Sequence, residues 1–440
     1  MEVLCIEGPA RLRGEVAVSG AKNAALPIMA ASLLADGPIT LERVPEVTDV
    51  TTLIELLTHL GMRVLRLADG VVRMETIDPS RYRATPDLVR RMRASFCVLG
   101  PLLARRGRAI VPLPGGCNIG ARPVDLHLKG LAALGADIRI SAGRVIARAR
   151  RLRSATINLR GPHGPTVTGT ANVLCASVLA KGNTIIAGAA TEPEIVDLGR
   201  FLIGLGAQIE GLGTDELAIR GVDQLGPARH RIIPDRIEAA TLLIAAAISG
   251  DCVTVRDLNA EHLQAVLGVL SAVGCQLNVQ HDRIRIDRPG RLLPIDIVAT
   301  PYPGIASDVQ PQLVTLLTLA DGTSSISDEV FPNRFAYGSE LRRFGASVRR
   351  TGRGVQVEGC SRLRGTQTLA HDLRGGAALL LAGLAAEQTT LLGGMHHIDR
   401  GYQRFDEKLR QLGAHVERRL PTCGPHARLV PVDDRLETVV

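Results

Sequence analysis

Residues 47–61 read VTDVTTLIELLTHLG, and residues 193–206 read PEIVDLGRFLIGLG. In both, apolar side chains return every three or four positions and the run stops at Leu-Gly. That period predicts amphipathic helices over Val47–Leu60 and Pro193–Leu205, and the closing Gly suits a left-handed cap. The same apolar-Gly step stands at Gly61, Gly135, Gly206, Gly274, Gly345 and Gly413, spaced 74, 71, 68, 71 and 68 residues apart. Such even spacing marks an internal repeat, here sixfold.

Each unit reads alike. An Ala/Leu-rich run comes first, as in Ala24–Ala35, Asn172–Ala180 and Gly375–Ala386. These runs are apolar all round, which predicts helices buried on every side. A short strand follows, such as Pro38–Glu42 or Asn183–Ile186, then the amphipathic helix. Alternating hairpins come last: Arg63–Met74, Asp137–Ala147, Gln208–Ile219, Gln276–Ile286 and Ser347–Val357. The unit is therefore helix, strand, helix, strand, strand. Six units divide into an α/β fold of two three-unit domains, each wrapped around three buried helices. The boundary is expected in the polar stretch Gly221–Ile232, giving a first domain over 22–232 and a second over 233–418. Unit six ends in a truncated hairpin at Ala414–Arg418, and the lone strand Val3–Ser19 is expected to complete it, so 1–21 joins the second domain. Residues 419–440 show no clean period and read as a mobile tail.

Composition narrows the function. Of 440 residues 45% are hydrophobic and 22% charged, which excludes a disordered chain. Aromatics are 2% with no Trp, so a stacking platform for single-stranded nucleic acid is disfavoured. The net charge of +8 comes largely from Arg, which suits phosphate-bearing ligands or plain solvation. Arg90–Arg93 and Arg148–Arg153 are short basic clusters broken by apolar residues. Eight scattered Cys without CxxC form no disulfide or zinc framework. Cys5, Cys97, Cys175, Cys252 and Cys275 lie in apolar runs and read as core. No apolar run reaches membrane length and no signal peptide opens the chain, so a cytoplasmic protein with reduced thiols and no membrane insertion is expected.

The loops before the buried helices carry the chemistry: Ser19–Asn23, Arg91–Arg93, Thr166–Thr170, Asp235–Glu238, Ser307-Asp308 and Asp372–Arg374. In a true repeat they share one end of each domain and face one another across a cleft, where helix N-termini favour anions. The Thr run reads equally as helix caps. Lys22 and Arg93 oppose the helix dipole at their positions, which costs stability and favours a functional reading. The loop Pro114–Pro123 has three Gly among six residues around Cys117, with Arg122 five residues on. A Cys there is no core Cys, and the cation favours its thiolate or an anion. His396-His397 beside Asp399 lacks a third metal ligand, and adjacent residues on an extended segment point apart, so no metal is expected. No Walker loop and no dinucleotide fingerprint occur, so no nucleotide cofactor is expected.

The motifs SGAKNAALPI, RASFCVLGP, PGGCNIGARPVDLHL, TEPEIVDL, YPGIASDVQ, FPNRF, DLRGGAALL and HIDRGY resemble the enolpyruvyl transferase family, over residues 1–418. The Cys loop and HIDRGY point to its sugar-nucleotide branch rather than the one acting on shikimate 3-phosphate. The resemblance implies the family's inside-out α/β barrel pair. It implies transfer of the enolpyruvyl group of phosphoenolpyruvate to the 3′-hydroxyl of UDP-N-acetylglucosamine, with release of phosphate, as the first committed step toward peptidoglycan. Lys22, Arg122 and Arg400 match the phosphoenolpyruvate grip, Cys117 the proton donor, and Asp308 the acceptor of the sugar proton. Asn23, Arg93, Arg122, Pro123, Val124, Asp125, Leu126, Thr166, Val167, Thr168, Asp308 and Val330 match the sugar-nucleotide site. Arg374, after Asp372, is expected to support the cleft. The family often has Ser-Val-Gly-Ala where this chain has Thr166-Val167-Thr168-Gly169. The competing reading, a basic scaffold for RNA, leaves Cys117 and Asp308 without a role; partners are therefore small molecules and not nucleic acid.

Overall fold

A computed structural model describes residues 2–115, 124–288, 290–360 and 362–420. The tail beyond 420 and the Cys117 loop lie outside the described residues. Two hydrophobic cores divide the chain. One gathers side chains from Ala21 to Ile232, the other Leu4–Val18 together with Ile237–Val416.

Each core surrounds buried helices. In the first they are Lys22–Ala31, Leu99–Arg106 and Val167–Ser177; in the second, Arg236–Ser249, Gln310–Leu317 and Leu373–Ala385. Ala and Gly let these helices approach closely. A Cβ on Gly100 would run into the Asn172 carbonyl, and one on Gly130 into Val173. Among the described residues the sheets lie outside and stay separate, so neither half hydrogen-bonds into one closed barrel there.

The repeat is visible in the pairing. In the first unit Ile39–Glu42 pairs antiparallel with Val72–Thr76, whose other edge takes Met62–Arg66. The units led by Asn183–Ala187, Gly250–Arg256 and Thr323–Asp328 repeat this arrangement, each with a fourth strand added in parallel. Unit two has three strands, and Arg83 bridges in parallel to Ile110 where the fourth would lie. Unit six has only one hairpin strand of its own, His415–Arg419. Val3–Gly8 fills the gap between it and Gln388–Gly393.

The N-terminal stretch differs from expectation. It is two strands, not one: Val3–Gly8 joins unit six and Leu12–Ala17 joins unit four. The polar stretch 221–232 also holds a strand, Ala228–Arg231, parallel to Ile39–Glu42. These two strands are exchanged: each precedes the buried helix of one half and pairs in the sheet of the other. The chain crosses between halves in between, and the crossings lie side by side. Ala21 N donates to Ile233 O at 2.8 Å and Asp235 N to Ser19 O at 2.9 Å. Cys252, expected in the core, is only half-buried. No helix among the described residues is long and apolar enough to cross a membrane.

All six repeated glycines have positive φ, between 88° and 106°. Ala136, Ala207, Cys275 and Ala414, next in line, each donate back five residues, the Schellman pattern that closes a helix. Gly206 has open space where a Cβ would go, whereas Gly61 meets the Asp78 carbonyl oxygen. Gly206→Ala should therefore cost about 1–2 kcal/mol for conformation alone, and Gly61→Ala clearly more. Urea unfolding of the two variants reads this directly; equal losses would contradict it.

Candidate active site

Lys22 opens its helix, 7% exposed despite its charge. Its Nζ donates to Asp49 Oδ2 at 3.1 Å. Asp49 sits in the first turn of the helix Thr48–His59, 3% exposed, and its Oδ1 accepts from Arg400 Nε at 2.9 Å. Lys22 and Asp49 belong to the first half and Arg400 to the second, so one buried carboxylate ties the halves together. Burial alone would raise the Asp49 pKa; the Lys22 and Arg400 charges outweigh it and hold the carboxyl below its ordinary value. Two cations on one carboxylate leave net positive charge, which suits an anionic ligand.

A second cluster adjoins the first. Asp308 Oδ1 accepts from Arg334 Nη1 at 2.6 Å, and its Oδ2 from Arg374 Nε and Nη2 at 3.3 and 3.2 Å. Arg374 is 1% exposed and lies over the Tyr402 ring, 5.0 Å from its centroid. Burial alone would lower its pKa, but the Tyr402 hydroxyl and Asp308 outweigh that and raise it above the ordinary value. Gln312 Nε2 donates to the Asp308 carbonyl at 3.1 Å and to Tyr402 Oη at 3.0 Å. Gly401 joins the clusters: a Cβ there would lie 3.3 Å from Lys22 Nζ and against Leu373. Among the described residues, Arg334 Nε and Arg374 Nη1 are buried without a hydrogen-bond partner. Buried donors left open cost free energy, and their place beside Asp308 marks it as polar and built for a ligand.

Helix caps account for part of the polarity read from sequence. Asp372 caps Leu373–Ala385 through the N–H groups of Arg374 and Gly375, both at 3.0 Å. Asp235 caps Arg236–Ser249 and also accepts from Lys22 N. Thr166 accepts from Gly169 N at 3.3 Å, so its capping role is real. Thr168 Oγ1 instead meets His127 Nε2 at 3.2 Å. Val167 and Thr168 are exposed at this helix start.

Asn23 is exposed on the first turn beside Lys22. Arg93 opens the 3-10 turn Arg93–Val98 and is close enough to His127 to act on its charge. Val124 leads into the helix Asp125–Ala133, with Asp125 and Leu126 in its first turn. Val330 N donates to Asp328 Oδ1 at 2.9 Å. Across the halves, His163 Nδ1 lies 3.1 Å from the Glu329 carbonyl, which brings the Thr166 and Val330 neighbourhoods together. Cys117, Arg122 and Pro123 lie outside the described residues. His396 and His397 sit on the one-turn helix Met395–Ile398, not the extended segment expected, with ring centroids 4.1 Å apart. Among the described residues no group of three His, Cys, Asp or Glu is placed to hold a metal.

Asp49, Arg334 and His127 were missed as site residues in the sequence. An acid in a helix's first turn reads as a dipole complement, and nothing local points Asp49 at residues 27 and 351 positions away. His127 is buried behind Thr168. Its Nδ1 accepts from Asn172 Nδ2 at 2.9 Å, which leaves Nε2–H for Thr168. Burial, with Arg93 nearby, pushes its pKa down to about 3.

The sequence profile of the EPSP synthase family (3-phosphoshikimate 1-carboxyvinyltransferase) matches residues 6–409. The chain is 47% identical over 418 residues to a UDP-N-acetylglucosamine 1-carboxyvinyltransferase of Geotalea daltonii, covering 95% of this chain and 99% of that one. It is 50% identical over 425 residues to the protein of the same name from Anaeromyxobacter sp. (strain K), with the same coverage. Among solved structures it is similar to the enolpyruvyl transferase NikO from Streptomyces tendae, with TM-score 0.85 and 26% identity, covering 95% and 98% of the two chains. An EPSP synthase from Acinetobacter baumannii shares the fold with TM-score 0.73 at 17% identity, over 96% of this chain and all of that one.

Two predictions follow from the buried groups. Asp49→Asn leaves Lys22 and Arg400 facing each other without their counter-charge and should cost about 3 kcal/mol in denaturant unfolding; an unchanged midpoint would show the bridge to be idle. His127 refuses a proton until about pH 3 when folded, whereas an unfolded His accepts one near 6.5. Its contribution is therefore complete above about pH 6.5 and is lost as pH falls toward 3. A pH series of unfolding midpoints should show a shallower acid slope for His127→Gln than for the parent.

Proposed function

The chain belongs to the UDP-N-acetylglucosamine 1-carboxyvinyltransferase family within the enolpyruvyl transferases, and from that premise we propose how its own residues carry out the reaction. The activity is transfer of the enolpyruvyl group of phosphoenolpyruvate to the 3′-hydroxyl of UDP-N-acetylglucosamine with release of phosphate, in peptidoglycan precursor synthesis. The observation that carries the assignment of residues is the buried Lys22–Asp49–Arg400 bridge between the halves.

Lys22 and Arg400, with Arg122, hold phosphoenolpyruvate through its phosphate and carboxylate. Asp49 aims the first two and keeps them from repelling each other apart. Cys117 gives a proton to the methylene carbon, which leaves a cationic centre at C2. The sugar hydroxyl adds to C2 and passes its proton to Asp308, forming a tetrahedral adduct. Loss of phosphate and of one methyl proton then yields the enol ether. Arg334 and Arg374 fix both oxygens of Asp308, so the acceptor does not have to be ordered during the reaction. Asn23, Arg93, Pro123 to Leu126, Thr166 to Thr168 and Val330 hold the sugar nucleotide. His127 supports this by orienting Thr168.

The two domains of this reading are 22–232, and 1–21 with 233–418, hinged at the paired crossings, with the reaction between them in the cytoplasm. A shikimate 3-phosphate transferase is the second reading. The 46–50% identity lies with the sugar-nucleotide enzymes, whereas the EPSP synthase structure supports fold alone.

Phosphate should appear only with both phosphoenolpyruvate and UDP-N-acetylglucosamine present, with no metal or nucleotide cofactor added; full turnover on shikimate 3-phosphate would overturn the assignment. Asp308→Ala should lower turnover about 10²–10⁴-fold. Cys117→Ser should abolish most of it, since a hydroxyl is a far poorer acid. Either variant within a few-fold of the parent removes that residue from the mechanism.

A further inference from the structure

A basic cavity of about 680 Å³ in unit two lies apart from the cleft. Arg83, Arg108, Arg148 and Arg150 line it, with Asp137 as its one acid. The buried helical run that starts at Arg93, in the cleft, ends at Arg106, beside the cavity. Six 3-10 residues at about 2.0 Å and eight α-helical residues at about 1.5 Å put the cavity about 24 Å away, at the opposite end of the domain.

All four arginines are exposed around the cavity, and three features suit them to an external anion. First, Arg108 and Arg148 stand directly opposite each other in the antiparallel pair Arg108–Pro112 with Arg144–Arg148, while Asp137 faces Arg148 from its other edge. Like charges opposed across strands destabilise a sheet. At the matching place, unit three sets Asn183 against Arg220 and unit five sets Thr323 against Glu358.

Second, Tyr82 positions two of the cations without neutralising them. The Arg108 guanidinium lies 4.1 Å from the ring centroid and that of Arg83 5.5 Å. The Arg83 hydrogen bond and charge, with the charge of Arg108, pull the phenol pKa below its usual value. The segment is anchored by its backbone: Ile110 N donates to Tyr82 O and Ala84 N to Ile110 O, both at 2.9 Å. A cation held by a ring keeps its charge for an external anion, unlike one held by a carboxylate.

Third, none of the four makes an ion pair among the described residues, and Asp137 is shared with Arg139 at 3.5 Å. Four cations and one acid leave +3 in the cavity. Half-buried Ile110 and Ile146 give it a partly apolar floor.

We propose that this cavity binds a small organic anion carrying a diphosphate or triphosphate group, held by the forked donors of Arg83, Arg108, Arg148 and Arg150. Each guanidinium spans two phosphate oxygens, so four exceed what one phosphate uses. The charge of such a group matches the +3 of the cavity.

Inorganic tripolyphosphate serves as the probe, titrated calorimetrically in about 150 mM salt with UDP-N-acetylglucosamine saturating the cleft. Arg108→Gln/Arg148→Gln should raise the dissociation constant at least tenfold and leave turnover within twofold. Arg349→Gln/Arg353→Gln, which removes the same charge from an exposed site in the other half, should change the constant less than twofold. Removing the opposed cation that faces no acid, as in Arg108→Gln, should also raise the melting temperature of the free protein, while the probe raises that of the parent but not of the double variant. No binding to the parent at millimolar probe overturns the proposal. So does equal binding to the Arg108/Arg148 variant, which would place the probe in the cleft, or equal loss in both double variants, which would make it a general charge effect. Tighter binding of a hexa-aspartate peptide than of tripolyphosphate would overturn the phosphate assignment.

Discussion

Burying three helices on all sides within each half is the constraint from which the rest follows. A helix with no solvent face must be largely apolar, its few polar side chains such as Asn172 and Gln312 satisfied inside, and Gly and Ala let neighbours close to contact, as at Gly100 against Asn172. Charged groups are then pushed toward the helix ends. The starts of these helices, or the turn leading into one, carry Lys22, Arg93, Thr166, Asp235 and Asp372, the residues from which the proposed cleft is built. Packing and chemistry thus use the same segments, with the middle of each helix serving one and its N-terminus the other.

Ion pairs then fix how the halves meet. Glu194 of the first half takes Arg236 of the second at 2.9 Å, both nearly buried. Asp49 does the same for Arg400. Separating the halves would break these contacts and expose their charges to water, which repays part of the cost. A joint of buried ions is therefore easier to open than an apolar joint of equal area, which suits a cleft that must admit two substrates.

The sequence was most readable where the signal was local. A six-times repeated Gly reports a backbone conformation that its own residue must adopt, and all six have it. Alternating hairpins were legible for the same reason. That Leu12–Ala17 pairs in unit four and Ala228–Arg231 beside Ile39–Glu42 was not, because a strand's own pattern says only that it pairs, never with which partner. The site divided along the same line. Lys22 and Arg93 stood out as cations in places that cost stability. Asp49 and Arg334 did not, since a first-turn acid and an Arg within a loop both have ordinary explanations until their partners are seen. Thr166 showed the opposite case, a polar residue whose ordinary explanation holds.

The place of Val3–Gly8 in the sheet of unit six has a consequence for biosynthesis. This strand leaves the ribosome ahead of the rest of this fold, yet its partners Gln388–Gly393 and His415–Arg419 emerge about 380 residues later. At 5–20 residues per second that is roughly 20–80 s of translation. The first half, whose core starts at Ala21, is complete long before. The nascent chain therefore carries a folded domain with an unmatched strand ahead of it, and Leu12–Ala17 waits likewise for Gly250–Arg256. Both edges are open to pairing with other chains during that interval. Their shortness, six residues each, limits how well a wrong partner can hold them.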